Sequence, residues 1–282
     1  MLVLLVPNHS RPEAVAGARE LEGWLVSQGA EVRWAPDKKL FPDKRVDLEG
    51  VCLAVSLGGD GTLLRAAGII GYSEIPLVGI SYGHLGFLTT AGPEDMIATV
   101  ADALAGELHA SHRATLDIEA VFELEDGELY TERRFALNDL SLGRGPQGDM
   151  VEFDVSVSGN HIDRLRGDGI VISTATGSTG YALAAGGPIV TPSFPGMVVV
   201  PIAPHTIMAR AFLTSPADVI EVRMSPDRPA DRLFFADGQP MGAAGGRGQQ
   251  VSVRRGPGDI ILLNRSAQSF YDSVSRVFYG KR

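Results

Sequence analysis

Near residue 113 the apolar residues of this chain change their period, and that change constrains its architecture more than any other feature. Before it, short apolar runs alternate with stretches whose apolar residues recur every three or four positions. Met1-Leu2-Val3-Leu4-Leu5-Val6 reads as a first strand, and Val15, Ala18, Leu21, Leu25 and Val26 follow at helical spacing behind Pro12 until Gly29. Val32 and Trp34 suggest a second strand, Val51–Val55 a third and Ile75–Ile80 a fourth. Pro93 opens a helix through Met96, Ile97, Val100 and Leu104 that ends at Gly106. Such alternation predicts a parallel sheet with helices packed on it and ligands at the carboxyl ends of its strands. After residue 113, Leu116, Ile118, Ala120 and Phe122 alternate with polar residues. Asp126-Gly127 signals a hairpin, alternation returns at 151–157, and further short strands are expected at 197–201, 219–224, 233–236, 251–254 and 260–263. That half reads as a β-sandwich or related β-layered domain. The expected division is an α/β domain over 1–112, a β-rich domain over 113–267, and a segment 268–282 that packs back on the first.

Within the first half, the strand at 51–55 runs into Ser56-Leu57-Gly58-Gly59-Asp60-Gly61-Thr62, and helical composition resumes at Leu63. Glycines at 58, 59 and 61 allow close backbone approach to a ligand and positive φ, and the N–H groups of the following helix suit a phosphate. A carboxylate there repels phosphate unless it holds a metal ion or takes a proton, so Asp60 needs explaining. The plainer alternative is an Asx-type turn or a helix cap.

Of 282 residues 34 are glycine, and the formal net charge is −9, which argues against nucleic acid or an anionic membrane as the main partner. Cys52, the one cysteine, excludes an intrachain disulfide and a multi-cysteine zinc site, and its apolar strand predicts core packing. With no apolar run of bilayer length, the expected location is the cytoplasm. The six histidines show no metal-ligand spacing, so His205 is expected to be structural.

A second glycine-rich segment runs from Arg166-Gly167-Asp168-Gly169 through Ile170-Val171-Ile172 into Thr176-Gly177-Ser178-Thr179-Gly180-Tyr181-Ala182-Leu183-Ala184 and on to Gly187. Its hydroxyls and N–H groups suit a sugar or a phosphate, and Tyr181 is either a wall for a base or a core aromatic. Asp168 is either a ligand contact or a turn residue. Arg65 and Arg166 would by default be solvated surface charges.

Together, Gly58–Thr62 and the segment from Gly167 to Gly187 resemble the NAD kinase family. Gly83-His84-Leu85-Gly86-Phe87-Leu88, Asn138-Asp139, Pro204-His205-Thr206 and Asp237-Gly238-Gln239 fall in that family's order and rough spacing. The first motif is shared with diacylglycerol and sphingosine kinases; the long segment is more restrictive.

The resemblance implies the diacylglycerol kinase-like two-domain architecture, α/β then all-β, and transfer of a phosphoryl group from ATP to the adenosine-ribose 2′-hydroxyl of NAD. It implies Asp60 as proton acceptor, with Gly58, Gly59, Gly61 and Thr62 cradling the donor phosphates. Asp60, Gly61, Arg65, Asn138, Asp139, Arg166, Asp168, Thr179, Gly180, Tyr181, Ala182, Leu183, Ala184 and Gln239 would contact NAD. It further implies a homo-oligomer, dimer or tetramer, and Mg²⁺ or another divalent cation held mostly by phosphates and water, with inorganic polyphosphate as an alternative donor. Asp139 stands where glutamate is frequent, Ala175 where proline is usual, Gly180 where alanine is usual, and Asp149 where a neutral or basic residue is expected. Two other readings keep the glycine turn: a lipid or sugar kinase, and a dinucleotide-binding regulator without turnover.

Overall fold

The computed structural model describes every residue except 42–44, 84–85, 147, 227–231, 244–245, 267–268 and 281–282. His84 and Leu85 of the glycine-histidine motif therefore lie outside the described residues. The chain divides into two compact units, one formed by Met1–His112 with Asp259–Arg282 and the other by Arg113–Gly258.

In the first unit, strands β1 (Leu2–Pro7), β2 (Glu31–Trp34), β3 (Val51–Gly58), β4 (Leu77–Ser81) and β5 (His109–Arg113) are joined by helices α1 (Pro12–Ser27), α2 (Asp60–Ile70) and α3 (Met96–Ala105). The sheet order is β2-β1-β3-β4, then a late strand at Ile260–Asn264, then β5. Pairing is parallel from β2 through to the late strand. Val3, Leu5, Leu53, Val55 and Leu57 bury against Ala14, Ala18, Leu21 and Leu25 of α1 and Val100 of α3. β1 and β3 are apolar at successive positions because helices cover both faces of such a sheet.

The second unit is a sandwich of two six-stranded sheets. Its strands are β6 (Leu116–Glu123), β7 (Leu129–Ala136), β8 (Asp139–Arg144), β9 (Val151–Val157), β10 (Asn160–Gly167), β11 (Gly169–Ser173), β12 (Val198–Ile202), β13 (Phe212–Leu213), β14 (Val219–Met224), β15 (Arg232–Ala236), β16 (Gln239–Pro240) and β17 (Arg247–Arg255). One sheet runs β10-β9-β14-β17-β6-β7, the other β13-β12-β11-β8-β15-β16. Ile118, Phe122, Phe153, Val222 and Val251 of the first share a core with Leu140, Leu142, Ile170, Ile172, Val199 and Phe234 of the second. Val171 points the other way, into a smaller cluster with Ala175, Ala182, Val190, Val198 and Val200. The segment following β11 thus covers the outer face of its own sheet, which is why 170–172 reads as an unbroken apolar run.

Two expectations are corrected, and one alternative left open for Tyr181 is removed. The strand at Ile260–Asn264, grouped as a short strand with the β-rich half, lies in the first sheet between β4 and β5, and the return to the first unit begins at Asp259 instead of after residue 267. Cys52 is exposed: the register steps from Leu2 opposite Val51 to Val3 opposite Leu53, so Cys52 is the unpaired residue of a bulge. Tyr181 is 47% exposed and is no core aromatic.

Candidate functional site

β3 ends at Gly58, and α2 begins two residues on at Asp60, after Gly59 in extended conformation (φ −128°, ψ −169°). None of Gly58, Gly59 and Gly61 adopts positive φ. A Cβ on Gly58 would collide with the Thr62 side chain, whereas Cβ atoms on Gly59 and Gly61 would meet nothing within 4 Å. Those two glycines, with Thr62, line a cavity of about 390 Å³ together with Asn8, Arg11 and Arg65. Gly58 is not among its walls, because Thr62 covers it.

The cavity is cationic. The Arg65 guanidinium donates to the carbonyls of Pro7 (3.1 Å) and Pro36, and Arg11 donates to the Tyr82 carbonyl. Arg65 Nε is buried without a hydrogen-bond partner. Burial pulls the Arg65 pKa below its usual value, and Asp37 partly opposes this. Both arginines spend N–H groups on neutral carbonyls, which leaves their charge available to an anion.

Asp60 turns its carboxylate to the loop after β4. The Phe87 N–H donates to Oδ2 at 3.1 Å and the Leu88 N–H to Oδ1 at 3.4 Å. Gly86 lies so close that a Cβ there would strike the carboxylate. Burial raises the Asp60 pKa, and the two backbone N–H groups restrain the rise. A half-buried carboxylate held in place with raised basicity is suited to taking a proton.

In the second unit, Asn138 and Asp139 stand at the start of β8, where Asp237 fixes their backbone. Its carboxylate accepts the N–H groups of Leu137 (2.8 Å), Asn138 (2.7 Å) and Asp139 (3.2 Å), and its own N–H donates to the Asp139 carbonyl at 2.9 Å. Asp237 and Gly238 have φ of 48° and 71°, which makes the link between β15 and β16 a two-residue hairpin turn of the twisted kind. The Asp139 side chain is buried; burial and then the charge of Asp237 push its carboxyl up to about 7. Thr174 Oγ1 donates to the Leu137 carbonyl (2.6 Å) and the Thr174 N–H to that of Asn138 (2.9 Å), while Asn138 Oδ1 is buried with no partner.

Arg166 and Asp168 sit where the chain leaves β10 for β11. A Cβ on Gly167 would lie 2.9 Å from the carbonyls of Ile202 and Ala203, and Gly169, at φ 154°, faces the Leu142 carbonyl, so both glycines are explained by packing. Asp168 lies 3.4 Å from Arg144 Nε, and Arg166 Nε is buried and unpartnered. His205 is exposed, and its N–H donates to the Arg166 carbonyl at 2.7 Å. Beyond a short 3₁₀ turn, Gly180, Tyr181 and Ala184 are exposed, Thr179 and Leu183 half-buried. Ala182 is buried in the outer cluster and its carbonyl accepts the Gly187 N–H. Gln239 is exposed on the hairpin.

The family model of the ATP-NAD kinase N-terminal domain matches residues 37–108, and that of the ATP-NAD kinase C-terminal domain matches 137–264. An NAD kinase of Polaromonas sp. (strain JS666) is 38% identical over 282 residues, covering 97% of this chain and 94% of its own length. The chain belongs to the NAD kinase family. Two solved structures share its fold: a yeast NADH kinase complexed with NADH (TM-score 0.86, 21% identity, 100% of this chain and 88% of that one) and an Archaeoglobus fulgidus NAD kinase in complex with ATP (TM-score 0.73, 24% identity, 98% and 97%).

Set beside the NAD kinase motifs, the structure groups Arg65 with Gly59, Gly61 and Thr62 around one cavity. Asn8 and Arg11 escaped sequence reasoning, while Phe87, Leu88 and Asp237 were quoted within motifs without a role. Asn8 and Arg11 carried a signal, since they follow β1 at the carboxyl edge of a parallel sheet. The backbone amides of Phe87 and Leu88 carried none. Among the described residues, no group of three or more His, Cys, Asp or Glu side chains could hold a metal ion, and no helix is long and apolar enough to cross a membrane.

Proposed function

We propose that this chain transfers the γ-phosphoryl group of ATP to the 2′-hydroxyl of the adenosine ribose of NAD, giving NADP. The observation that carries the reading is the Asp60 carboxylate, oriented by two backbone N–H groups and raised in basicity by burial, at the head of the helix that borders a cationic cavity. A ribose hydroxyl is a poor nucleophile until its proton is removed as the new bond forms, and Asp60 is the acceptor. Arg11, Arg65 and the open backbone at Gly59 and Gly61 hold donor phosphates. Asn138 and Asp139 hold polar groups of the adenosine; Arg166, Asp168, Thr179, Gly180, Tyr181, Leu183, Ala184 and Gln239 complete the dinucleotide contacts.

Each Asp60 oxygen accepts one N–H and keeps a lone pair, so the chain can offer a divalent cation one carboxylate, with phosphates and water supplying the rest. When bound, Mg²⁺ would neutralise charge on the donor phosphates. We take the protein to be a cytoplasmic homo-oligomer; its single cysteine suits a reducing compartment.

The test incubates purified protein with NAD, ATP and Mg²⁺ and follows NADP with an NADP-specific dehydrogenase, with Asp60→Asn and inorganic polyphosphate in parallel. NADP should form, and Asp60→Asn should lower turnover by about a thousandfold or more while NAD still binds. Near-normal turnover of Asp60→Asn removes the proton-acceptor role. Binding of NAD without NADP from either donor favours the regulator.

A further inference from the structure

We propose that the C-terminal helix (Ser269–Phe278) positions the Asp60 carboxylate, acting through Phe87. Among the described residues, the donors to that carboxylate are the N–H groups of Phe87 and Leu88, which belong to a loop without regular secondary structure. Among the described residues, the Gly86 N–H donates to Thr89 Oγ1 at 3.1 Å, and the Thr90 N–H meets the Gly79 carbonyl at 2.7 Å. Leu88 is buried, and the Phe87 ring is a further anchor. That ring stacks on Phe278, with centroids 5.7 Å apart and planes 29° apart, and packs at 51° against Phe270, 6.4 Å away. Arg276 lies over the same loop, its guanidinium 3.5 Å from the Gly86 carbonyl.

The geometry leaves little freedom. Because Gly86 has no room for a side chain beside the carboxylate, a shift of the loop moves the hydrogen-bond donors and the carboxylate together. A half-buried acid whose position rests on two backbone amides loses its aim when those amides move, and a displacement of about 1 Å in such a group costs up to about a hundredfold in rate. Phe270 and Phe278 are positioning residues: they touch the loop, and the loop touches the carboxylate. The inference rests on Asp60 being the proton acceptor.

The test uses the full chain with Phe278→Ala, Phe270→Ala and the conservative Phe278→Tyr, each also in the Asp60→Asn background. Phe278→Ala should lower kcat by about ten- to a hundredfold and change the KM for NAD by no more than about twofold. Phe278→Tyr should restore kcat, and in Asp60→Asn the alanine substitution should cost nothing further, because residues acting as one unit are not additive. Amide exchange gives a readout independent of chemistry: Phe87 and Leu88 should exchange faster in Phe278→Ala, while the Tyr82 amide, bonded to the Gly58 carbonyl at 2.7 Å, keeps its protection. An unchanged kcat, or an equal loss in both backgrounds, overturns the proposal. If Asp60→Asn alone turns over normally, the proton-acceptor reading fails and amide exchange decides the clamp: faster exchange upholds it, unchanged exchange overturns it.

Discussion

At the scale of single residues, two glycines of the site make opposite demands. A methyl on Gly86 would strike the Asp60 carboxylate, whereas one on Gly61 meets nothing in the protein, and neither residue has positive φ. Gly86→Ala should therefore lower kcat at least tenfold with the fold intact, since the carboxylate must leave the Phe87 and Leu88 amides. Gly61→Ala should unfold like the parent yet raise the KM for ATP, the methyl filling space reserved for donor phosphate; steady-state kinetics with a melting curve separates the two. Asp139 supplies a pH prediction. Its carboxyl is pushed from the ordinary 3.8 up to about 7, so the folded chain binds the proton more tightly than the unfolded one. The stability this proton contributes is complete below the unfolded value and is lost as pH rises from there through about 7. Asp139→Asn, which mimics the neutral acid, should raise the unfolding free energy by roughly 2–4 kcal/mol at pH 8 and by almost nothing at pH 4, read from urea denaturation at the two pH values. The same substitution should weaken NAD binding, the trade expected where a buried acid is kept for a ligand.

At the scale of elements, the hairpin carrying Asp237 organises the start of β8. Asp237→Ala removes the acceptor of three backbone N–H groups and places a methyl-bearing residue at φ 48°. It should cost about 3 kcal/mol or more, whereas Asp237→Asn, which tolerates that φ and keeps one acceptor oxygen, should cost about half as much. Equal costs in urea denaturation would show that charge and acceptor number are irrelevant there. This hairpin also marks the limit of what the sequence made legible. Asp237-Gly238 is readable as a turn, because a two-residue turn needs residues that tolerate positive φ, but three backbone amides some hundred residues earlier leave no trace in composition. Asp60 was legible for a similar local reason, being a carboxylate set among glycines; its donors Phe87 and Leu88 were not, because any residue supplies an N–H. Of the two freedoms that Gly58, Gly59 and Gly61 allow, positive φ goes unused: Gly58 leaves room for Thr62 while Gly59 and Gly61 face open space at the cavity, and both demands produce the same letters in sequence. β5 went unread because His109-Ala110-Ser111-His112 is largely exposed and has no apolar alternation to display.

At the scale of the whole chain, the second unit is continuous and the first is not. Arg113–Gly258 is inserted into a unit whose sheet is completed only by the strand at Ile260–Asn264. The ends of the insert are tied to each other, the Thr115 hydroxyl donating to the Gly258 carbonyl at 2.6 Å and the Gly256 N–H to the Thr115 carbonyl at 2.8 Å. Among the described residues, its core draws on both of its sheets and on no strand outside it. A fragment spanning 113–258 should therefore fold alone, with a cooperative melt and dispersed amide resonances, because a domain with its own core and adjoining ends needs nothing else. Residues 1–112 should not. Without the late strand β5 has no neighbour, β4 loses its partner at Leu77–Leu262, Leu263 leaves the core, and Thr90 loses the Leu263 carbonyl it donates to at 2.8 Å. Such a fragment leaves β4 as an apolar open edge and should aggregate or remain molten. A cooperative melt of 1–112 would show the late strand to be dispensable. Adding a peptide that spans 259–282 should restore a cooperative transition if the missing strand is the cause, and a failure to do so would trace the defect to the covalent order of the chain.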